Sequence, residues 1–145
     1  MKYVFIDGNN LIGYINKIKK IAIGREDLVF KLEKFYNNKK NQIIVFFDGF
    51  ENDKIVSQRV KIIYSEKKSA DDVIREYLEK YYNPKLVTLI TSDLQLQQIG
   101  KVNSACVISS EDLVKQMYIS SNHFNDCEKP NVMSIEEAKK LFGEK

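Results

Sequence analysis

Three times along this chain a short apolar run stops abruptly at an aspartate. Tyr3 to Ile6 ends in Asp7-Gly8, Ile43 to Phe47 ends in Asp48-Gly49, and Leu86 to Ile90 ends in Thr91-Ser92-Asp93. Runs of this length without polar alternation read as strands buried on both faces, because a half-exposed strand alternates. Strands buried on both faces need helices above and below them. That requirement points to an open parallel sheet.

The segments between the runs carry helical spacing. Leu11, Ile15, Ile18 and Ala22 predict a first helix, with Gly24 as its end. Leu28, Leu32 and Phe35 predict a second, closed by Asn37-Asn38. Residues 50–58 read as a loop, and Val60 to Tyr64 as a third strand. Ser69 opens a helix whose apolar face is Ala70, Val73, Ile74, Tyr77, Leu78 and Tyr81, stopped by Asn83-Pro84. A short helix runs to Gly100, Ala105 to Ile108 forms a fifth strand, and Ser109 or Ser110 caps a helix with Leu113, Val114 and Met117. Right-handed crossovers then give an α/β fold of about five parallel strands, ordered 3-2-1-4-5, with helices on both faces. At 145 residues the chain is one domain, residues 1–120, with a polar extension over 121–145. Within that extension Ser134-Ile135-Glu136-Glu137 resembles a capping box for a last short helix packed on the same domain.

The first strand is central in this order, so strand-end acids gather at one edge of the sheet, where open α/β proteins bind ligands. Asp7, Asp48 and Asp93 each follow a strand, and Asp71-Asp72 lie in the first turn of the helix after the third. Taken singly, each is explained by turn chemistry or by the stabilisation of carboxylates at helix N-termini, about 0.3–1 kcal/mol. Taken together that account weakens, because crowded like charges repel and call for a cation. Oxygen-only ligands suit Mg²⁺ or Mn²⁺. Cys106, Cys127 and His123 do not form a zinc spacing.

Charge adds a second clue. The formal net charge is only +3, yet residues 1–68 carry 14 Lys/Arg against 8 Asp/Glu and residues 69–145 carry 9 against 12. A basic half beside an acidic site suits a polyanion, although lysines also serve solubility alone. No apolar run approaches the ~20 residues that span a bilayer. No signal peptide is evident and the two cysteines make no disulfide framework, so a cytoplasmic protein is expected.

Four segments in register now carry a resemblance: Ile6-Asp7-Gly8-Asn9-Asn10-Leu11-Ile12, Val45-Phe46-Phe47-Asp48-Gly49, Ser69-Ala70-Asp71-Asp72-Val73-Ile74 and Thr91-Ser92-Asp93-Leu94-Gln95-Leu96-Gln97. Over about residues 1–119 the chain resembles the NYN domain of the PIN-like nuclease superfamily, most closely its YacP-like bacterial branch. The resemblance implies a PIN-like three-layer fold and a metal-dependent endoribonuclease. It further implies RNA, messenger RNA in particular, as substrate and the ribosome as a candidate partner. Carried over by residue, Asp7, Asp71 and Asp93 match the metal-binding acids and Asn10 the asparagine beside the first. Asp72 shares or replaces the role of Asp71, and Asp48 is a supporting ligand.

Metal-assisted hydrolysis leaves 5′-phosphate and 3′-hydroxyl ends, whereas the rival route through paired histidines fails on a chain with one histidine. Lys17, Lys19, Lys20, Lys67 and Lys68 are the candidates for RNA backbone contacts, with Lys39 and Lys40 less closely tied to the acids. A phosphoacceptor receiver would need a lysine where Ser109-Ser110 stands, and an aspartyl phosphatase would need Asp-x-Asp where Asp7-Gly8-Asn9 stands. The serious alternative is a non-catalytic RNA- or ribosome-binding module on the same fold.

Overall fold

A computed structural model describes residues 2–119. The expected helix at Ser134–Glu137 and the rest of the C-terminal extension lie outside the described residues. Five parallel strands, β1 (Tyr3–Asp7), β2 (Gln42–Phe47), β3 (Val60–Tyr64), β4 (Val87–Ile90) and β5 (Cys106–Ile108), pair in the order β3-β2-β1-β4-β5. This is the expected order. β1 sits in the middle, with Ile6 opposite both Val45 of β2 and Ile90 of β4.

Strand residues point alternately to opposite faces. Val4, Ile6, Ile43, Val45 and Phe47 therefore meet one set of helices: α1 (Gly8–Lys19), α2 (Arg25–Phe35) and α5 (Ser110–Ile119). Phe5, Ile44, Phe46 and Leu89 meet the other set, α3 (Ala70–Glu76) and α4 (Leu94–Val102). Both faces of β1 are thus covered, and Val4, Phe5 and Ile6 are wholly buried. Burial of side chains of this size stabilises by about 1.5–3 kcal/mol each, which explains why such runs cannot alternate with polar residues.

Element ends differ from the sequence expectation in instructive ways. α1 stops at Lys19 rather than near Gly24, because Lys20 adopts the left-handed conformation (φ 55°) and its amide closes on the Asn16 carbonyl. Gly24 instead begins α2, its amide donating to the Asp27 carboxylate at 3.0 Å. The helix expected to run from Ala70 to Tyr81 is α-helical only to Glu76 and continues as a π-turn over Tyr77–Tyr81. There the Tyr82 amide reaches back five residues to Tyr77. The wider turn lets Tyr77 and Tyr82 pack their rings on Phe5 across the sheet face. Leu86, expected as the first residue of β4, belongs to a 3₁₀ turn after Pro84 and is partly exposed.

Gly8 allows α1 to leave β1 directly against β2. A Cβ at Gly8 would stand 2.9 Å from the Phe46 carbonyl oxygen and closer still to the Phe47 ring. Gly13, in the same helix, has open space around it. Gly8→Ala should therefore lower the unfolding free energy by about 1–3 kcal/mol, as overpacking does. Gly13→Ala should raise it by about 0.5–1 kcal/mol through helix propensity. Urea denaturation of the two variants checks the pair, and equal shifts would mean that α1 does not start against β2.

Candidate active site at the carboxyl edge of the sheet

The central strand delivers Asp7 to the carboxyl edge of the sheet, 5% exposed. Its Oδ2 accepts a hydrogen bond from the Thr91 hydroxyl, 3.0 Å away at the end of β4. The same hydroxyl oxygen accepts from the Asp93 amide at 3.1 Å. One threonine thereby ties the Asp7 side chain to the Asp93 main chain. Asp93 in turn caps α4, its Oδ1 accepting from the Gln95 and Leu96 amides. Such a cap stabilises by about 0.5–2 kcal/mol and fixes the carboxylate's position.

Asp48 reaches the edge from β2. Its amide donates to the Asn9 side-chain oxygen at 2.9 Å, and its Oδ1 accepts from the Ala70 amide at 2.7 Å. That second bond fastens the start of α3, where Ser69 caps the helix by accepting from the Asp72 amide. Asp71 and Asp72 occupy the first turn beyond it. Four elements thus bring Asp7, Asp48, Asp71, Asp72 and Asp93 to one region.

Electrostatics registers the crowding. The Asp7 carboxyl is raised from 3.8 to about 6, chiefly by burial and also by Asp71 and Asp48, against the opposing effect of the Thr91 hydroxyl and the Asn10 amide. Asp71 also lies above the ordinary carboxylate range, first through burial and then through Asp93, Asp48 and Asp72. These couplings link all five acids. Among the described residues, however, no three His, Cys, Asp or Glu side chains are arranged as a ready-made metal cage. Asp71 is the acid that links the others: its charge acts on Asp7, and Asp93, Asp48 and Asp72 act on it. The donors fit a hard cation in kind. An open arrangement also suits Mg²⁺, which keeps several waters and takes one or two carboxylates plus substrate phosphates.

Asn10 holds the scaffold. Its Oδ1 accepts from the Ser92 amide (2.9 Å) and from the Ser110 hydroxyl (2.8 Å), joining the ends of β1, β4 and the start of α5. Ser110 is wholly buried there, while Ser109 supplies the cap by accepting from the Asp112 amide. Sequence reasoning gave Thr91 and Asn9 no separate role. The signal for Thr91 was a hydroxyl residue placed between a buried strand and an acid two residues on.

The lysines separate into two groups. Lys67 and Lys68 are exposed immediately before α3, although Lys68 also pairs with Glu76 at 3.2 Å. Lys17, Lys19 and Lys20 stand at the far end of α1, which its rise places roughly 15–20 Å from Asp7. Lys19 there covers the Tyr118 ring at 4.0 Å.

A buried acid with a raised pKa binds its proton more tightly folded than unfolded. Asp7 therefore leaves stability highest below about pH 4 and lowers it as pH rises from 3.8 to about 6, by up to roughly 3 kcal/mol. In EDTA, Asp7→Asn should melt above the wild type at pH 7.5, since asparagine still accepts from Thr91. The difference should vanish near pH 4. Melting curves that stay parallel across this range would mean that Asp7 is not strained.

Comparison with known proteins comes to the same fold. The crystal structure of Rae1 (YacP) from Bacillus subtilis is similar at a TM-score of 0.68 and 23% identity, covering 81% of this chain and 74% of that one. A point variant of the same protein gives 0.66 and 24%, covering 81% and 75%. No curated protein matches the chain. The profile of the YacP-like NYN domain matches residues 4–142, nearly the whole sequence. The chain belongs to the YacP-like NYN domain family.

Proposed function

We propose that this protein is a metal-dependent endoribonuclease that hydrolyses RNA phosphodiester bonds, with messenger RNA at the ribosome as its setting. The observation that carries the reading is a buried Asp7 in the field of Asp48 and Asp71, with Asp72 and Asp93 acting on Asp71 in turn. A fold that gathers like charges at a ligand-binding edge gives up stability there, and such strain concentrates at functional sites.

Asp7, Asp71 and Asp93 would hold the ion, with Asp72 and Asp48 beside them. Mg²⁺ or Mn²⁺, when bound, supplies an activated water and offsets charge on the phosphate and the leaving oxygen. The chain's own contribution is positional. Asp48 and Asp93 each commit Oδ1 to backbone amides, so each carboxylate is fixed in position and would have a second oxygen for a ligand. Thr91 and Asn10 keep the ends of β1 and β4 from drifting apart. Lys67 and Lys68, exposed just before α3, would meet RNA phosphates entering beside Asp71. Phosphate contacts of this kind position a strand without reading its bases.

The open arrangement of the acids favours one rival, an RNA- or ribosome-binding module without catalysis. Incubation of RNA with Mg²⁺ or Mn²⁺, with and without ribosomes, separates the two. Cleavage should leave 5′-phosphate ends, and Asp7→Asn should reduce it by at least about a hundredfold through loss of a ligand charge. Binding without cleavage under either condition would favour the module, and an Asp7→Asn variant as active as wild type would make the acids structural.

The lysines provide a further test. Replacing Lys67 and Lys68 together should weaken binding about equally across RNA sequences. It should also flatten the salt dependence by about 0.7 for every phosphate that the two lysines neutralise in the wild type. An unchanged slope would leave both as solvated surface charges.

A further inference from the structure

Phe50 follows the acid loop after β2 and is 55% exposed. A large aromatic side chain in water is unremarkable on a loose loop, but this loop is not loose. The Asp48 amide is held by Asn9, and the Gly49 amide donates to the buried Ser65 hydroxyl at 2.9 Å. The Gly49 carbonyl accepts from the Glu66 amide at 2.7 Å. Gly49 itself has φ +83°, which a larger residue would adopt only with strain.

Arg25 completes the clamp. From the first turn of α2 its guanidinium donates to the Asp48 carbonyl and, at 3.0 Å, to the Phe50 carbonyl. It lies over the Phe47 and Tyr64 rings at 5.0 and 5.3 Å, so its own position is set by packing. The main chain of residues 48–50 is therefore tied at every step, and the Phe50 ring is presented from a fixed backbone. It stands two positions beyond Asp48, whose charge acts on both Asp7 and Asp71. That spacing limits the Cα separation to about 7 Å. Across β1, Leu94 follows Asp93 and is 79% exposed. Two exposed apolar side chains, one of them aromatic, thus follow acids of the edge closely in the chain.

We infer that Phe50 is a base-stacking residue, which takes the face of an unpaired nucleotide next to the phosphate held at the aspartates. The inference rests on the proposed RNA-cleaving reading and deepens it. Stacking on an aromatic ring is open to every base, because each has a π-face, but only when the base is out of a duplex. The substrate at this site is accordingly an unpaired stretch of RNA, and pairing at the cleavage position blocks it. A ring already fixed in place also loses little freedom when the base arrives.

The test uses the full chain and short oligoribonucleotides with 2-aminopurine beside the cleaved phosphate. The wild type should quench the fluorophore on binding, and Phe50→Ala should lose the quench and raise KM about ten- to a hundredfold with kcat little changed. Phe50→Trp should restore both, whereas Phe50→Leu, apolar without a π-face, should restore neither fully. Annealing a complementary strand across the site should abolish wild-type cleavage.

Phe50→Ala with unchanged KM and unchanged quenching would overturn the inference while leaving the nuclease reading intact. Full rescue by leucine would overturn it in favour of an apolar protein contact. A wild type that neither binds nor cleaves any RNA would remove both readings together.

Discussion

The structure depends on the placement of β1 between β2 and β4 with both its faces buried. Parallel pairing on each side satisfies its backbone groups, and helices on each face cover Val4, Phe5 and Ile6. Such a strand can show a side chain to a ligand only at its end. Asp7 is that end. Every element that comes after a crossover returns to the same edge, which is why acids from β2, α3 and β4 meet Asp7 there.

Bringing them together sets two tendencies against each other. Burial and like charge push the Asp7 carboxyl up to about 6 and raise Asp71 as well. A network of neutral donors works in the opposite sense: the Thr91 hydroxyl and the Asn10 amide both lower the Asp7 value. The same two residues knit the strand ends, the Thr91 hydroxyl by also accepting from the Asp93 amide and the Asn10 side-chain oxygen by accepting from Ser92 and Ser110. Hydrogen bonds of this kind are individually modest, about 0.5–1.5 kcal/mol net, but each is expensive to leave unmade once buried. They restrain the Asp7 carboxyl and the Asp93 main chain without removing the charge between the acids.

The β2 side of the edge follows a different design. Asn9, Ser65, Glu66 and Arg25 fix the main chain from Asp48 to Phe50. A loop tied through its backbone leaves its side chains for a partner. Here those side chains are a carboxylate and an exposed ring, one suited to phosphate chemistry and the other to a base.

Much of this was legible in the sequence. Unbroken apolar runs ended by aspartates specify buried parallel strands, and the crossover rules then leave little choice of strand order or of edge for the acids. Local contacts decided what periodicity could not: Gly24 opens a helix because Asp27 can reach its amide, and the π-turn at Tyr77–Tyr81 accompanies the packing of Tyr77 and Tyr82 on Phe5. Charge spacing along the chain also misleads about distance. Lys17, Lys19 and Lys20 follow the Asp7 motif in sequence, yet they stand at the other end of α1. Partners many residues apart lay beyond any local pattern, since Thr91 meets Asp7 across 84 residues and Ser110 meets Asn10 across 100. By itself the sequence determined which residues are buried and which acids reach the sheet edge, because burial follows from side-chain chemistry. Only the tertiary structure decided which donors oppose the charge of those acids and which groups tie the loop after β2, because each depends on contacts between strand ends.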